Sequence, residues 1–162
     1  MDTRFYSFVA GLYLSPLQCG LQTAHAVSEM YSLHSPYSGS NDYMSLYDQW
    51  ARVDKTIIIL NAMNSRGVVN AHLTLQEFAK RFKLPLALFH EDSDSLNGAA
   101  TACAIIVPQK FYDAEFCKGD PNDPDAGGYY VYTDPNVNSI SVYDRHSPEF
   151  GLCFLIKSYR LV

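Results

Sequence analysis

The stretch LSPLQCGLQTAHAVSEMY, residues 14–31, decides how the rest of the chain is read. It follows an apolar, aromatic run from Phe5 to Leu14 and opens on Ser15-Pro16. Serine caps free helix amides, and proline fits a first helical turn without losing a hydrogen bond, so a helix is predicted here. Leu17, Leu21, Ala24 and Tyr31 share one face at helical spacing, while Gln18, Gln22, His25 and Glu29 share another. No charge precedes Glu29. A helix buried over most of its surface, yet carrying a polar ridge, is a candidate site. The competing reading is a partly exposed helix whose outer face holds two amides and a histidine.

Working outward, RFYSFVAGLYL (residues 4–14) reads as a first strand. Downstream, SPYSGSN (35–41) is a turn-rich break, and residues 42–53 offer a short helix with Tyr43, Leu46, Tyr47 and Trp50 at helical spacing. KTIIIL (55–60) is a β-branched run with the look of a central, two-sided strand. NAMNSRG (61–67) is a loop, and a third helix runs from about Val68 to Phe82 with Ala71, Leu75, Phe78 and Phe82 inward. LALF (86–89) and GAATACAIIV (98–107) are strands around the acidic loop HEDSDSLN (90–97). This alternation predicts an α/β fold, a small mixed β-sheet flanked by helices.

After Pro108 the character changes. A short helix over Gln109–Lys118, a loop at 119–128, and strands at Tyr129–Thr133, Ser139–Tyr143 and Leu152–Leu161 are predicted, with a hairpin turn at 134–138. The expected organisation is an α/β domain over 1–118 and a C-terminal β-rich extension over 119–162 packed on the same sheet. A tail of about 40 residues is marginal for a core of its own.

The 162 residues suit one core, and the 48% hydrophobic content is that of a globular chain. A formal charge of −5 argues against broad attraction to nucleic acid, though a local basic patch remains compatible. Cys19, Cys103, Cys117 and Cys153 form no CxxC pair and read as reduced thiols. Asp2 and Arg4 precede a strand-like run rather than a signal peptide, and no apolar run reaches membrane-span length. A cytoplasmic location without membrane association is therefore the expectation.

In an open α/β sheet, sites lie beyond the carboxyl ends of strands. That rule brings Ser15, Gln18, Gln22 and His25 toward Glu91, Asp92, Asp94 and Ser95. A histidine with a carboxylate partner can act as general base toward water. Asp120, Asn122, Asp123 and Asp125 look like a calcium loop, but two prolines interrupt it and Val131 stands at the twelfth position, so no metal is expected. No phosphate-binding loop, dinucleotide fingerprint or nucleophile elbow is present, and no cofactor is expected.

The stretch LSPLQCGLQTAHA resembles the type-2 (archaeal and eukaryotic) peptidyl-tRNA hydrolases, which carry Met-Gly-Lys-Gly-Lys-x-Ala-x-Gln-x-x-His-Ala there. Gln22, His25 and Ala26 fall on matching positions, and the order of elements agrees over roughly residues 5–112. The resemblance implies a four-stranded mixed sheet flanked by helices and cleavage of the ester between a peptide and tRNA. It also implies a carboxylate at Glu91 or Asp92 and a hydroxyl at Ser95. The family's two lysines fall on Pro16 and Gln18, neither of which carries charge. Catalysis is thus expected from His25, Glu91 and Asp92. Substrate is expected to meet Ser15, Gln18, Gln22 and Ser95, with Arg66 as the compensating cation. The expected partners are tRNA or a nucleotide ligand. Alternatively, a catalytically silent module would bind a protein through Tyr129, Tyr130, Tyr132, Tyr143 and Tyr159.

Overall fold

The computed structural model describes residues 2–34, 44–119 and 127–162. The expected turn at 35–41, Tyr43 and the calcium-like loop lie outside the described residues. The chain is α/β, with two sheets that belong to two compact units.

The first unit comprises Asp2–Val107 and Tyr159–Val162. Its strands are β1 (Thr3–Val9), β2 (Ile57–Asn61), β3 (Leu86–His90) and β4 (Ala100–Pro108), in the order β2-β1-β4-β3. β1 runs parallel to β2, and β3 antiparallel to β4. Strand β4 is buried along its whole length, as a central strand should be. KTIIIL, expected at the centre, is instead the edge strand β2, with Ile57 exposed. Its outer edge is partly paired: Asn61 N–H donates to the Arg160 carbonyl at 2.8 Å, and Val162 N–H to that of Ile59 at 3.1 Å. A β-branched run reads alike whether neighbouring strands or a returning segment cover it.

Helix α1 (Pro16–His34) starts at the Ser15-Pro16 signal. Its leucine stripe faces outward, and of the polar ridge only Gln22 is buried, Gln18 and His25 being exposed. Leu17, Leu21 and Tyr31 are exposed, whereas Cys19, Gln22, Thr23, Ala26 and Met30 are buried. Small side chains at 19, 23 and 26 let the helix lie close on the sheet, and Thr23 Oγ1 bonds Ser7 Oγ of β1 at 2.9 Å. One core joins Cys19, Ala26 and Met30 to Phe5 and Val9 of β1, Ala102, Ala104 and Ile106 of β4, and Trp50. Trp50 follows α2 (Met44–Gln49) at the head of a π turn.

Helix α3 (Ser65–Phe82) begins earlier than predicted, because Asn64 caps it by accepting from Gly67 N–H. Gly67 is required there, since a Cβ would collide with the Ala62 carbonyl. Val68, Ala71, Leu75 and Ala79 are its buried residues; Phe78 and Phe82 are only half-buried.

The second unit, Pro108–Ser158, carries α4 (Gln109–Tyr112), β5 (Glu115–Cys117), β6 (Tyr129–Thr133), β7 (Ile140–Tyr143) and α5 (Pro148–Ser158). Its three strands form an antiparallel sheet of their own, β5-β6-β7, rather than adding to the first. The two compact units meet in the sequence at Pro108 and again after Ser158. β5 pairs with β6, while Tyr159 packs edge-on to Phe8 of the first unit's own sheet. The strand predicted at Leu152–Leu161 is a helix up to Ser158. Ser147 caps it by accepting from Phe150 N–H, and Pro148 takes the first helical position. Tyr130, Tyr132 and Tyr143 are buried, so these three of the five tyrosines expected at a contact surface serve a core. Burial also raises the Cys153 thiol to about 12.

Both Thr3 N–H and Thr3 Oγ1 donate to Asp54 Oδ2, at 2.8 and 2.6 Å, tying the start of β1 to the π turn. Burial pushes this carboxyl up, but the Thr3 hydrogen bonds, aided by the Gln49 amide, outweigh it and hold it below the usual range. A group lowered in the folded state stabilises above its unfolded pKa, and that contribution is lost as pH falls through the folded value. Urea unfolding from about pH 7 to about pH 2 should show wild type losing stability more steeply than Asp54→Asn. At neutral pH the variant should be less stable by on the order of 1 kcal/mol.

Candidate functional site

Gln22 and Glu91 meet. Gln22 Nε2 donates to Glu91 Oε1 at 2.6 Å, and Gln22 Oε1 accepts from Thr101 Oγ1 at 2.7 Å. Gln22 and Thr101 are buried, while Glu91 is half-buried. Every polar atom of the Gln22 head that faces this cluster is thus used, and its amide is fixed in one orientation.

Thr101 reaches Gln22 because of a β-bulge. Phe89 pairs with Ala102 but His90 pairs with Ala100, so Thr101 is an extra residue in β4. Regular alternation would send Thr101 and Ala102 to opposite faces. Here both meet α1, Ala102 in the core with Cys19 and Ala26, and Thr101 on Gln22. The Glu91 side is fixed by its N–H, which donates to the Ala99 carbonyl at 3.0 Å.

The remaining candidates take other places. Ser15 and Gln18 are reciprocally bonded: Ser15 N–H donates to Gln18 Oε1 at 2.8 Å, and Gln18 N–H to Ser15 Oγ at 3.3 Å. This is a capping box, so both are tied to starting α1. His25 is exposed, and its ring stacks on Phe89 at 4.7 Å and 7° rather than bonding Glu91. Asp92 and Ser95 are exposed; the Asp92 carbonyl holds the loop by accepting from Ser95 N–H and Gly98 N–H. Arg66 is exposed in the first turn of α3. Thr101 escaped the sequence reading. The available signal was a lone hydroxyl in an otherwise small and apolar strand.

Beside this cluster lies a hollow of about 260 Å³. It is lined by Ala10, Tyr13, Leu14, Gln18, Ser65, Leu96, Ala99, Ala100 and Thr101, with no charged side chain among them. Thr101 therefore belongs to both cluster and hollow. A larger hollow, about 500 Å³, lies within the Pro108–Ser158 unit, with Asp113, Glu115 and Cys117 in its wall. Its size does not make it the better site, because no histidine or cation converges on those carboxylates among its lining residues. Among the described residues no group of three or more His, Cys, Asp or Glu could hold a metal ion.

Replacing Gln22 by Leu leaves the buried Thr101 hydroxyl without its acceptor and should cost about 1–3 kcal/mol in urea unfolding. Adding Thr101→Val should cost less in that background than in wild type, since the two residues share one bond. Strict additivity would show that the bond contributes nothing.

Neither a scan against protein-family models nor a search of curated proteins matches this chain.

Proposed function

We propose that the chain hydrolyses an ester joining an acyl or peptidyl group to the ribose of tRNA or a nucleotide, as a divergent relative of the type-2 peptidyl-tRNA hydrolases. The observation that carries this reading is the bonded set Glu91–Gln22–Thr101 beside the hollow. Glu91 Oε1 is held by Gln22, while Oε2 has no hydrogen-bond partner among the described residues. Oε2 takes a proton from water as the water oxygen bonds to the ester carbonyl carbon. When the bond from that carbon to the ribose oxygen breaks, the ribose oxygen receives the proton from Glu91. Gln22 keeps the carboxylate aimed, and Thr101 keeps Gln22 from rotating. Arg66 follows Ser65, a residue of the hollow wall, and offers a guanidinium to a phosphate where the family motif carries lysines elsewhere. With a net charge of −5, attraction to nucleic acid has to be local.

A second reading, a silent protein-binding module, has its own support. Leu12, Tyr13, Leu17 and Leu21 are 59%, 67%, 76% and 53% exposed, an apolar patch at the start of α1.

Single-turnover release of labelled peptide from peptidyl-tRNA separates the two. Wild type should release above background, and Glu91→Gln should slow release by roughly 10²- to 10⁴-fold. Arg66→Ala should weaken binding, shown by a higher enzyme concentration at half-maximal rate, with a smaller change at saturation. No release by wild type ends the hydrolytic reading and leaves the binding module.

A further inference from the structure

We infer that the hollow bordered by Leu96 is an acyl subsite that selects esters whose acyl group carries an uncharged aliphatic or aromatic side chain. The inference rests on the hydrolytic reading of Glu91. Four observations converge on it.

The wall is largely apolar: Ala10, Tyr13, Leu14, Leu96 and Ala99 contribute to it, and no lining residue is charged. A carboxylate or ammonium placed there would lose its hydration without gaining a partner. A volume of about 260 Å³ lies just under the roughly 300–1,000 Å³ of sites that enclose whole ligands. It suits one side chain and its carbonyl rather than a nucleotide. The hollow also adjoins the proposed base twice over: Thr101 lines it and bonds Gln22, the partner of Glu91, and Ala99 lines it and accepts from Glu91 N–H. Glu91 itself is not in the wall, so in this proposal the ester carbonyl sits at Glu91 and its substituent reaches past Thr101 and Ala99 into the hollow.

The fourth observation is the backbone of the rim. Leu96, Asn97 and Gly98 have φ of 48°, 52° and 68°. Glycine adopts this left-handed region freely and asparagine tolerates it, but leucine is strained there. Leu96 is nonetheless 60% exposed, so the strain is not offset by burial in the core. A leucine held in a costly conformation, half in water, at the edge of an apolar hollow fits a residue that is covered when an apolar group enters.

The test uses the full chain and two readouts. Amide chemical shifts are followed on adding N-acetyl-L-leucinamide or, separately, N-acetyl-L-aspartamide with its free carboxylate. Single-turnover rates are measured on N-acetyl-leucyl-tRNA and N-acetyl-aspartyl-tRNA. The leucine probe should shift Leu96, Ala99 and Thr101 while the aspartate probe does not, and the leucyl ester should be cleaved at least roughly tenfold faster. Leu96→Asn and Leu96→Gly relieve the backbone, so both should melt no lower than wild type, yet the leucine preference should shrink to about twofold. Equal shifts from both probes, no shift at these amides, or cleavage of both esters at one rate overturns the subsite and leaves the hydrolytic reading standing. Selective shifts without cleavage of either ester overturn the hydrolytic reading and the acyl role with it, and leave an apolar binding hollow.

Discussion

The hydrogen bond from Thr101 to Gln22 depends on one extra residue in β4, and the candidate site depends on that bond. Without the bulge, the hydroxyl would face away from α1, and a glutamine amide would sit buried with its oxygen unsatisfied. An unsatisfied buried acceptor costs about 1–3 kcal/mol, a sizeable part of the net stability of a small domain. The bulge therefore makes a buried glutamine tolerable, and the glutamine then points its amide at Glu91. Local chain geometry, core chemistry and carboxylate orientation form a single arrangement.

The same arrangement explains why α1 carries its leucines outward. Contact with β1 and β4 is made by Cys19, Thr23 and Ala26, side chains short enough to bring helix and sheet together so that Gln22 reaches Thr101. Bulky residues on that face would hold the helix too far away. Leu17 and Leu21 consequently face solvent, which conflicts with solubility alone and is consistent with a surface that meets another molecule.

Much of the fold was legible in the sequence, and the exceptions have specific causes. Ser15-Pro16 marked the start of α1, and the meeting of residues 22 and 91 followed from where α/β sheets place their strand ends. The same signal stands at Ser147-Pro148, but the apolar run LCFLI beyond it reads equally well as a strand; only the cap distinguishes the helix. The face that α1 buries was misread because periodicity identifies stripes without saying which one faces inward, and size complementarity outweighed hydrophobicity. Thr101 stood out only as a lone hydroxyl; the bulge that aims it at Gln22 is a property of two strands in register and not of either alone. Ser15 and Gln18 are expected from the sequence to meet substrate, and their reciprocal bonding ties both to the helix start.

Strand β2 borrows its outer neighbour from residues 160–162, about one hundred positions downstream, with the whole Pro108–Ser158 unit inserted between. During ribosomal synthesis, Ile57 to Asn61 emerge long before the segment that flanks them exists. An unpaired, isoleucine-rich margin is a template for pairing with other nascent chains, and such long-range closure is slow. The insertion thus imposes a timetable: the first sheet is begun early, and its isoleucine-rich border is covered only after the inserted unit has emerged.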